Sequence, residues 1–324
     1  MKTAILVYEK CTTSMVFGVM DILSFANLQQ QSLQQQPEAV LFDIEILSAD
    51  GQPVKSFNNQ LVSAVKSIKT KTRYDLIYVP GFLGEVEEVL LREVKLANWL
   101  KAQAVKGTII AAACNGNFLL AESGVLNNKR ATTHWNLIKE FRQRYQSVVL
   151  EPEKILVDEG SIISAAGVTA YQNLGIYLVY RFGSPELAAV CSKIFLVDSG
   201  RRIQTPYMLY TQPRKHGDRD ILKVQEWLEN NYAETISLNA IIGISHLGKR
   251  TLIRRFKTAT GDTPLDYLQK IRIENAKRML ESTADTFSEI TWRVGYEDSS
   301  SFQKLFKSQT GMSPREYRAK FTMV

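Results

Sequence analysis

Cys114 sits in IIAAACNGNFLLAESG, residues 109–124, between a run of small apolar residues and the start of a helix-like segment. A thiol on a tight strand-to-helix turn is exposed at the carboxyl edge of a sheet, where the helix N-terminus favours the thiolate. A cysteine nucleophile also needs a base, and KRATTHW supplies His134, one of 3 histidines in the chain. Cysteine-dependent hydrolysis is the chemistry such a pair could perform. The alternative is a small buried cysteine that behaves as a hydrophobe, beside an unrelated surface histidine. Far downstream, KRTLIRRFK carries Lys249, Arg250, Arg254, Arg255 and Lys257 on the polar face of a helix. Arginine forks match guanine O6 and N7 in the major groove and lysine neutralises phosphate, so this face has the chemistry of DNA recognition.

The elements that must position these groups differ between the two ends of the chain. TAILVY (3–8), FDIEILS (42–48), DLIYVPG (75–81), TIIAAAC (108–114) and GSIISAAG (160–167) are short apolar or alternating runs that read as strands. Helices are expected at about 15–29, 85–104, 115–123, 134–144, 169–182 and 184–195, the last with Pro185 in its first turn. This rhythm predicts a flavodoxin-like α/β domain, a parallel sheet with helices on both faces, over 1–197. QQQSLQQQ (29–36) reads as a solvated helix end or loop. The stretch 198–218 has two prolines, two glycines and no sustained period, and reads as a linker; 219–324 reads as all-α.

That last segment contains a duplication. FKTATGDTPLDYLQK (256–270) and FKSQTGMSPREYRAK (306–320) match Phe, Lys, Thr, Gly, Pro and Tyr at one offset of fifty residues. Each copy predicts a helix, a glycine stop at Gly261 or Gly311, and a new helix capped by Thr263 or Ser313 with proline in its first turn. A shorter helix precedes each, at 237–245 and 286–294, with turns at His246–Leu247 and Gly295–Tyr296. Two helix-turn-helix units result, at about 237–257 and 286–307, able to reach two groove segments of one duplex.

Bulk properties narrow the classes. A length of 324 residues suggests two units, and 45% hydrophobic with 23% charged residues excludes a disordered, collagenous or disulfide-scaffold chain. Cysteines at 11, 114 and 191 lack metal-ligand or paired spacing, so no metal, cofactor or disulfide is expected. No apolar run is long enough to span a bilayer and no signal-peptide core is visible, so a cytoplasmic protein without a membrane partner is expected. The net charge of +7 is uneven: residues 214–324 hold 19 Lys and Arg against 14 Asp and Glu, the rest 21 against 19.

Residues 219–324, through RRFKTATGDTPLDYLQKIRIENAKRML and EITWRVGYEDSSSFQKLFKSQTGMSPREYR, resemble the DNA-binding domain of AraC-type transcription regulators. The resemblance implies base-facing roles for Arg250, Ile253 and Arg254 in the first unit and for Ser299, Ser300, Ser301, Gln303 and Lys304 in the second, joined by a long helix over about 264–282. Two positions depart from the family: His246 replaces a usual glycine and Gly248 a usual Ser or Thr cap, so the second unit should be the better formed. Ile253 suggests contact with a thymine methyl.

Residues 1–200, through DLIYVPGF, AAACNGNFLLAESGVLNNKRATTHW and GSIISAAGVTAYQNLGIYLV, resemble the class I glutamine-amidotransferase-like (PfpI/ThiJ-like) domain in the GlxA-like form that precedes an AraC-type module. In hydrolytic relatives the elbow cysteine works with a histidine and an acid following the first strand; here Met15 and Val16 occupy the aligned region, and Phe82 replaces a second glycine after VPG. The resemblance therefore implies a repurposed pocket lined by Cys114, Asn115, His134, Met15, Val16 and Phe82, with no catalytic residue assigned. It further implies a homodimeric activator that binds operator DNA, contacts RNA polymerase and answers to a small amino-acid or amine-like effector. A cysteine-dependent hydrolase or glyoxalase-like enzyme tethered to DNA is the competing expectation.

Overall fold

The computed structural model describes residues 1–34 and 40–322. The chain divides into two compact units, Met1–Gln204 and Thr205–Val324. Residues 198–218, read above as linker, are shared between them. Gln204 Nε2 donates to the Thr133 and Pro152 carbonyls in the first unit, whereas Tyr210 OH donates to Asp262 Oδ2 in the second.

The first unit is built on a seven-stranded sheet: β1 (Lys2–Leu6), β2 (Asp43–Ser48), β3 (Lys66–Ser67), β4 (Leu76–Val79), β5 (Ile109–Ala113), β6 (Leu156–Asp158) and β7 (Ile162–Ala165). Their spatial order is β6-β7-β5-β4-β1-β2-β3. β4 is the middle strand and β1 lies beside it, with Ile5 opposite Tyr78 of β4 and Ile46 of β2, both parallel. The expected parallel sheet is thus mixed, because β6 runs antiparallel to β7. Strand pairs too short to show a period escaped the sequence reading, among them β3 and the two-residue ladder of Val54–Lys55 with Leu61–Val62.

The helices of this unit are α1 (Thr13–Gln34), α2 (Val86–Arg92), α3 (Val94–Val105), α4 (Gly116–Glu122), α5 (Ile138–Arg144), α6 (Ala170–Phe182) and α7 (Pro185–Ile194). α1, α6 and α7 pack together and α2, α3 and α4 form a second group. Parallel connections running in opposite directions from the central strands place such groups on opposite faces. α1 extends beyond the expected end into the glutamine tract, of which Gln35 and Gln36 lie outside the described residues. The single helix expected at 85–104 is two, broken at Glu93, whose φ of −97° and ψ of 24° are not helical and whose side chain is buried. α1 and α6 approach closely: a Cβ on Gly18 would lie 2.3 Å from the Tyr171 ring.

The second unit is helical: α8 (Arg219–Asn231), α9 (Leu238–Ser245), α10 (Lys249–Thr260), α11 (Pro264–Ser282), α12 (Phe287–Arg293), α13 (Ser299–Thr310) and α14 (Pro314–Phe321). It has two cores. Ile221, Val224 and Leu228 of α8 pack with Ile241, Leu252, Phe256 and the start of α11; Ile273, Ala276 and Leu280, later in α11, pack with Ile290, Val294, Phe302, Phe306 and Tyr317. α11 therefore closes the first core with its N-terminal half and founds the second with its C-terminal half.

Candidate nucleic-acid interface and the cysteine elbow

The fifty-residue repeat is a repeat of contacts. Gly261 and Gly311 end α10 and α13 with φ of 87° and 75°, and their N–H groups donate to the Lys257 and Lys307 carbonyls at 2.9 and 2.8 Å. Only glycine adopts this left-handed backbone without strain. Thr260 and Thr310 each donate a hydroxyl hydrogen bond to the carbonyl four residues back, both at 2.8 Å. Phe256 meets Tyr267 edge-on at 5.3 Å, as Phe306 meets Tyr317 at 5.4 Å. The tyrosine hydroxyls end on Glu229 of α8 and Glu281 of α11, so the duplicated unit includes the helix before each motif, which the sequence reading did not identify.

With the apolar faces of α10 and α13 committed to these cores, the opposite faces are presented outward. Arg250, Ile253, Arg254 and Lys257 stand at i, i+3, i+4 and i+7 on α10 and line a shallow groove together with Lys249 and Thr258. Ser300, Gln303, Lys304 and Lys307 occupy the positions fifty residues later and are all exposed on α13. Ser301 is exposed beside them, and Ser299 is half-buried with its hydroxyl 3.4 Å from that of Ser288. One residue of the basic set does not belong: Arg255 turns back to Asp218, with Nε and Nη2 donating at 2.9 and 2.6 Å, and to Asp220 at 2.9 Å. These ion pairs hold the Arg255 proton more tightly than usual and the Asp218 carboxyl below its ordinary value.

The two motifs begin differently. His246 takes the left-handed turn, φ 52° and ψ 21°, and Gly248 offers α10 no side-chain cap. In the second motif Asp298 accepts from the N–H groups of Ser300 and Ser301, each at 3.0 Å. α12 has a capping box between Thr286 and Glu289.

In the first unit Cys114 occupies the elbow with φ 58°, a strained backbone for a residue with a side chain. A Cβ on Gly116 would fall 2.4 Å from the Pro80 carbonyl oxygen, so the start of α4 can approach the end of β4 this closely only with glycine. The surroundings of the thiol are filled. Asn115 Oδ1 accepts from Phe82 N at 2.8 Å while its Nδ2 donates to Phe82 O at 2.7 Å. Met15 Sδ accepts from Gly81 N at 3.1 Å. The backbone donors of Gly81 and Phe82 are thereby spent inside the protein.

Met15, Phe82, Cys114 and Asn115 are thus brought together, with Val16 in the core; none of the five is more than 5% exposed. The elbow expected to open on a pocket is packed with side chains. Burial pushes the Cys114 thiol up to about 12, against a smaller opposing effect of the Asn115 backbone N–H. His134 Nδ1 accepts from Asn136 N at 3.1 Å, and no hydrogen bond joins His134 to Cys114 among the described residues. Burial also lowers the His134 pKa. The neighbouring Thr133, not His134, reaches the elbow, donating its hydroxyl to the Cys114 carbonyl at 3.2 Å.

Two family models match the chain, a helix-turn-helix domain over residues 243–320 and the DJ-1/PfpI family over 27–180. The transcriptional regulator CdhR of Pseudomonas aeruginosa is 27% identical over 282 residues, 87% of this chain and 83% of that one. GbdR of the same species is 24% identical over 284 residues, 86% and 75% of the two chains. Over the helical unit, the transcriptional activator RhaS of Escherichia fergusonii is 40% identical across 92 residues, 28% of this chain and 33% of that one. Among solved structures, an AraC family transcriptional regulator from Pseudomonas putida superposes with a TM-score of 0.51 at 23% identity, covering 60% of this chain and 98% of that one. Drosophila melanogaster DJ-1beta gives 0.51 at 17%, covering 61% and 98%, and shows the same sheet architecture. A duplicated helix-turn-helix unit that follows an α/β unit with a cysteine elbow, matched along most of the chain by two helix-turn-helix transcriptional regulators, makes this protein an AraC-type helix-turn-helix transcription regulator with an N-terminal DJ-1/PfpI domain.

Proposed function

We propose that the protein is a ligand-controlled homodimeric activator whose α10 and α13 read two successive major-groove segments of an operator. The observation that carries this is the equivalence of the two exposed faces, Arg250, Ile253, Arg254 and Lys257 on one helix and Ser300, Gln303, Lys304 and Lys307 on the other. Arg254 and Arg250 are suited to guanine, Gln303 to adenine, Ile253 to a thymine methyl, and Ser299, Ser300, Ser301 and Lys304 to polar base edges and phosphate. The first unit acts as sensor for an amino-acid or amine-like effector, and control follows from that ligand's unequal affinity for two arrangements of the dimer. Contact with RNA polymerase completes the activator role.

A hydrolytic role is disfavoured by the same geometry that makes the elbow recognisable. Burial favours the neutral thiol over the thiolate, and the Gly81 and Phe82 N–H groups near it are occupied. The test of the DNA-reading assignment is footprinting and binding of the full chain on operator variants. Arg254→Ala and Gln303→Ala should each lose about 1–3 kcal/mol of discrimination at particular base pairs. Equal losses on every sequence would assign those side chains to phosphate instead.

A further inference from the structure

The packed elbow leaves the sensor unit's ligand site to be found elsewhere, and a cavity of about 500 Å³ opens between α6, α7 and the start of β6. That volume is in the range of small-molecule sites. It is made by sequence spacing: Asn173, Ile176, Tyr177 and Tyr180 lie at i, i+3, i+4 and i+7 on α6, and face Pro185, Ala188, Ala189 and Ser192 at the same intervals on α7. Small alanines opposite tyrosines leave the hollow, which Ile155 and Leu156 close from the strand side.

The walls are held in place. Tyr177 OH donates to Asp158 Oδ2 at 2.5 Å, and Arg181 Nη1 donates to the same carboxylate at 2.9 Å. The third side is the segment 198–202, fastened by Asn173 Nδ2 to the Asp198 carbonyl at 2.9 Å, by Arg201 Nη1 to Thr169 Oγ1 at 3.2 Å, and by Ile155 N to the Arg202 carbonyl at 2.9 Å. It brings Arg201, Arg202 and Ser199 to the lining, which contains no Asp or Glu.

We propose that this cavity is the effector site of the sensor unit and that, of the amino-acid and amine-like effectors, it takes the carboxylate-bearing kind, a small organic carboxylate with an apolar or aromatic body. The body lies between the tyrosines and the alanines, while the carboxylate meets the guanidinium rim, where charge-assisted hydrogen bonds are strongest. The inference rests on the reading of this unit as a sensor. It also gives the signal a route along the chain, since a ligand seated on Ser199, Arg201 and Arg202 stabilises the segment that runs directly into Thr205, where the second unit begins.

Full-length protein titrated with 3-phenylpropionate, its amide and 3-phenylpropylamine, by calorimetry, tests both site and charge preference. The acid should bind saturably and the amide and amine at least about tenfold more weakly. Arg202→Gln should weaken the acid by roughly tenfold, and Ala189→Trp, which fills an exposed part of the cavity, should abolish its binding, whereas Cys114→Ala should leave it unchanged. Operator binding without ligand is measured on the same samples and should be unaltered. Absence of acid binding, equal binding of the three probes, or indifference to both cavity variants with operator binding intact overturns the cavity assignment and leaves the regulator. Loss of operator selectivity in the parent protein overturns the regulator reading itself.

Discussion

Cys114 has the backbone of a nucleophile and the environment of a core residue. Its φ of 58° is the conformation that would project a side chain from an elbow, but it lies buried with Met15 and Asn115 around Gly81, and burial raises its thiol to about 12. Burial disfavours the charged form, so at any given pH the thiolate fraction is lower than in a free cysteine, and the thiolate is the reactive species. Iodoacetamide should therefore label Cys114 more slowly at neutral pH than it labels a free thiol, with a rate that continues to climb towards pH 12 instead of levelling near 9. Faster labelling at neutral pH would contradict the packed elbow. Among the charged side chains, Arg255 teaches a parallel lesson. It shares the basic run with Arg254, yet its ion pairs with Asp218 and Asp220 give it a structural task at the start of α8.

At the scale of elements, caps distinguish α10 from α13. Asp298 satisfies two N–H groups at the start of α13, and Asp298→Ala should cost about 1 kcal/mol in denaturant unfolding. Gly248 has the extended backbone of a cap and open space where a Cβ would go, so Gly248→Ser should stabilise by a few tenths of a kcal/mol. A destabilised serine variant would show that α10 needs glycine for another reason. The joint between the motifs depends on Arg272, buried in α11, whose Nε and Nη2 donate to the Tyr232 and Glu234 carbonyls at 2.8 and 2.7 Å and whose guanidinium lies 5.0 Å from the Tyr296 ring centre. Arg272→Ala should cost about 2–3 kcal/mol, measured by the same unfolding, because two charge-assisted hydrogen bonds are lost. Gly295 completes the joint with φ 81° and a would-be Cβ only 2.6 Å from the Ala233 carbonyl oxygen.

At the scale of the whole molecule, charge is divided unevenly along the chain. The excess of Lys and Arg lies in the helical unit, and among the described residues no helix is long and apolar enough to cross a membrane. Binding to DNA by such a unit releases counterions in proportion to the phosphates it neutralises. Lys257→Ala and Lys307→Ala in the full chain should each reduce the slope of log affinity against log salt by about one, across all operator sequences. An unchanged slope would place these lysines away from the DNA backbone.

Much of this architecture was legible because it depends on neighbours within one helical turn. The caps at Thr263 and Ser313, the glycine stops at Gly261 and Gly311 and the turn at His246 are local patterns, repeated or varied between the two motifs, and the structure contains each of them. The strands were readable as apolar runs, except those too short to show a period. What the tertiary structure alone decided is which groups are spent on one another. Gly81 N finds Met15 Sδ 66 residues away, Phe82 N finds Asn115 33 residues away, and Arg255 finds Asp218 37 residues away. Such partners are chosen by packing in three dimensions, where a filled space and a satisfied donor turn a recognisable motif into a closed one, and no spacing along the chain records that choice.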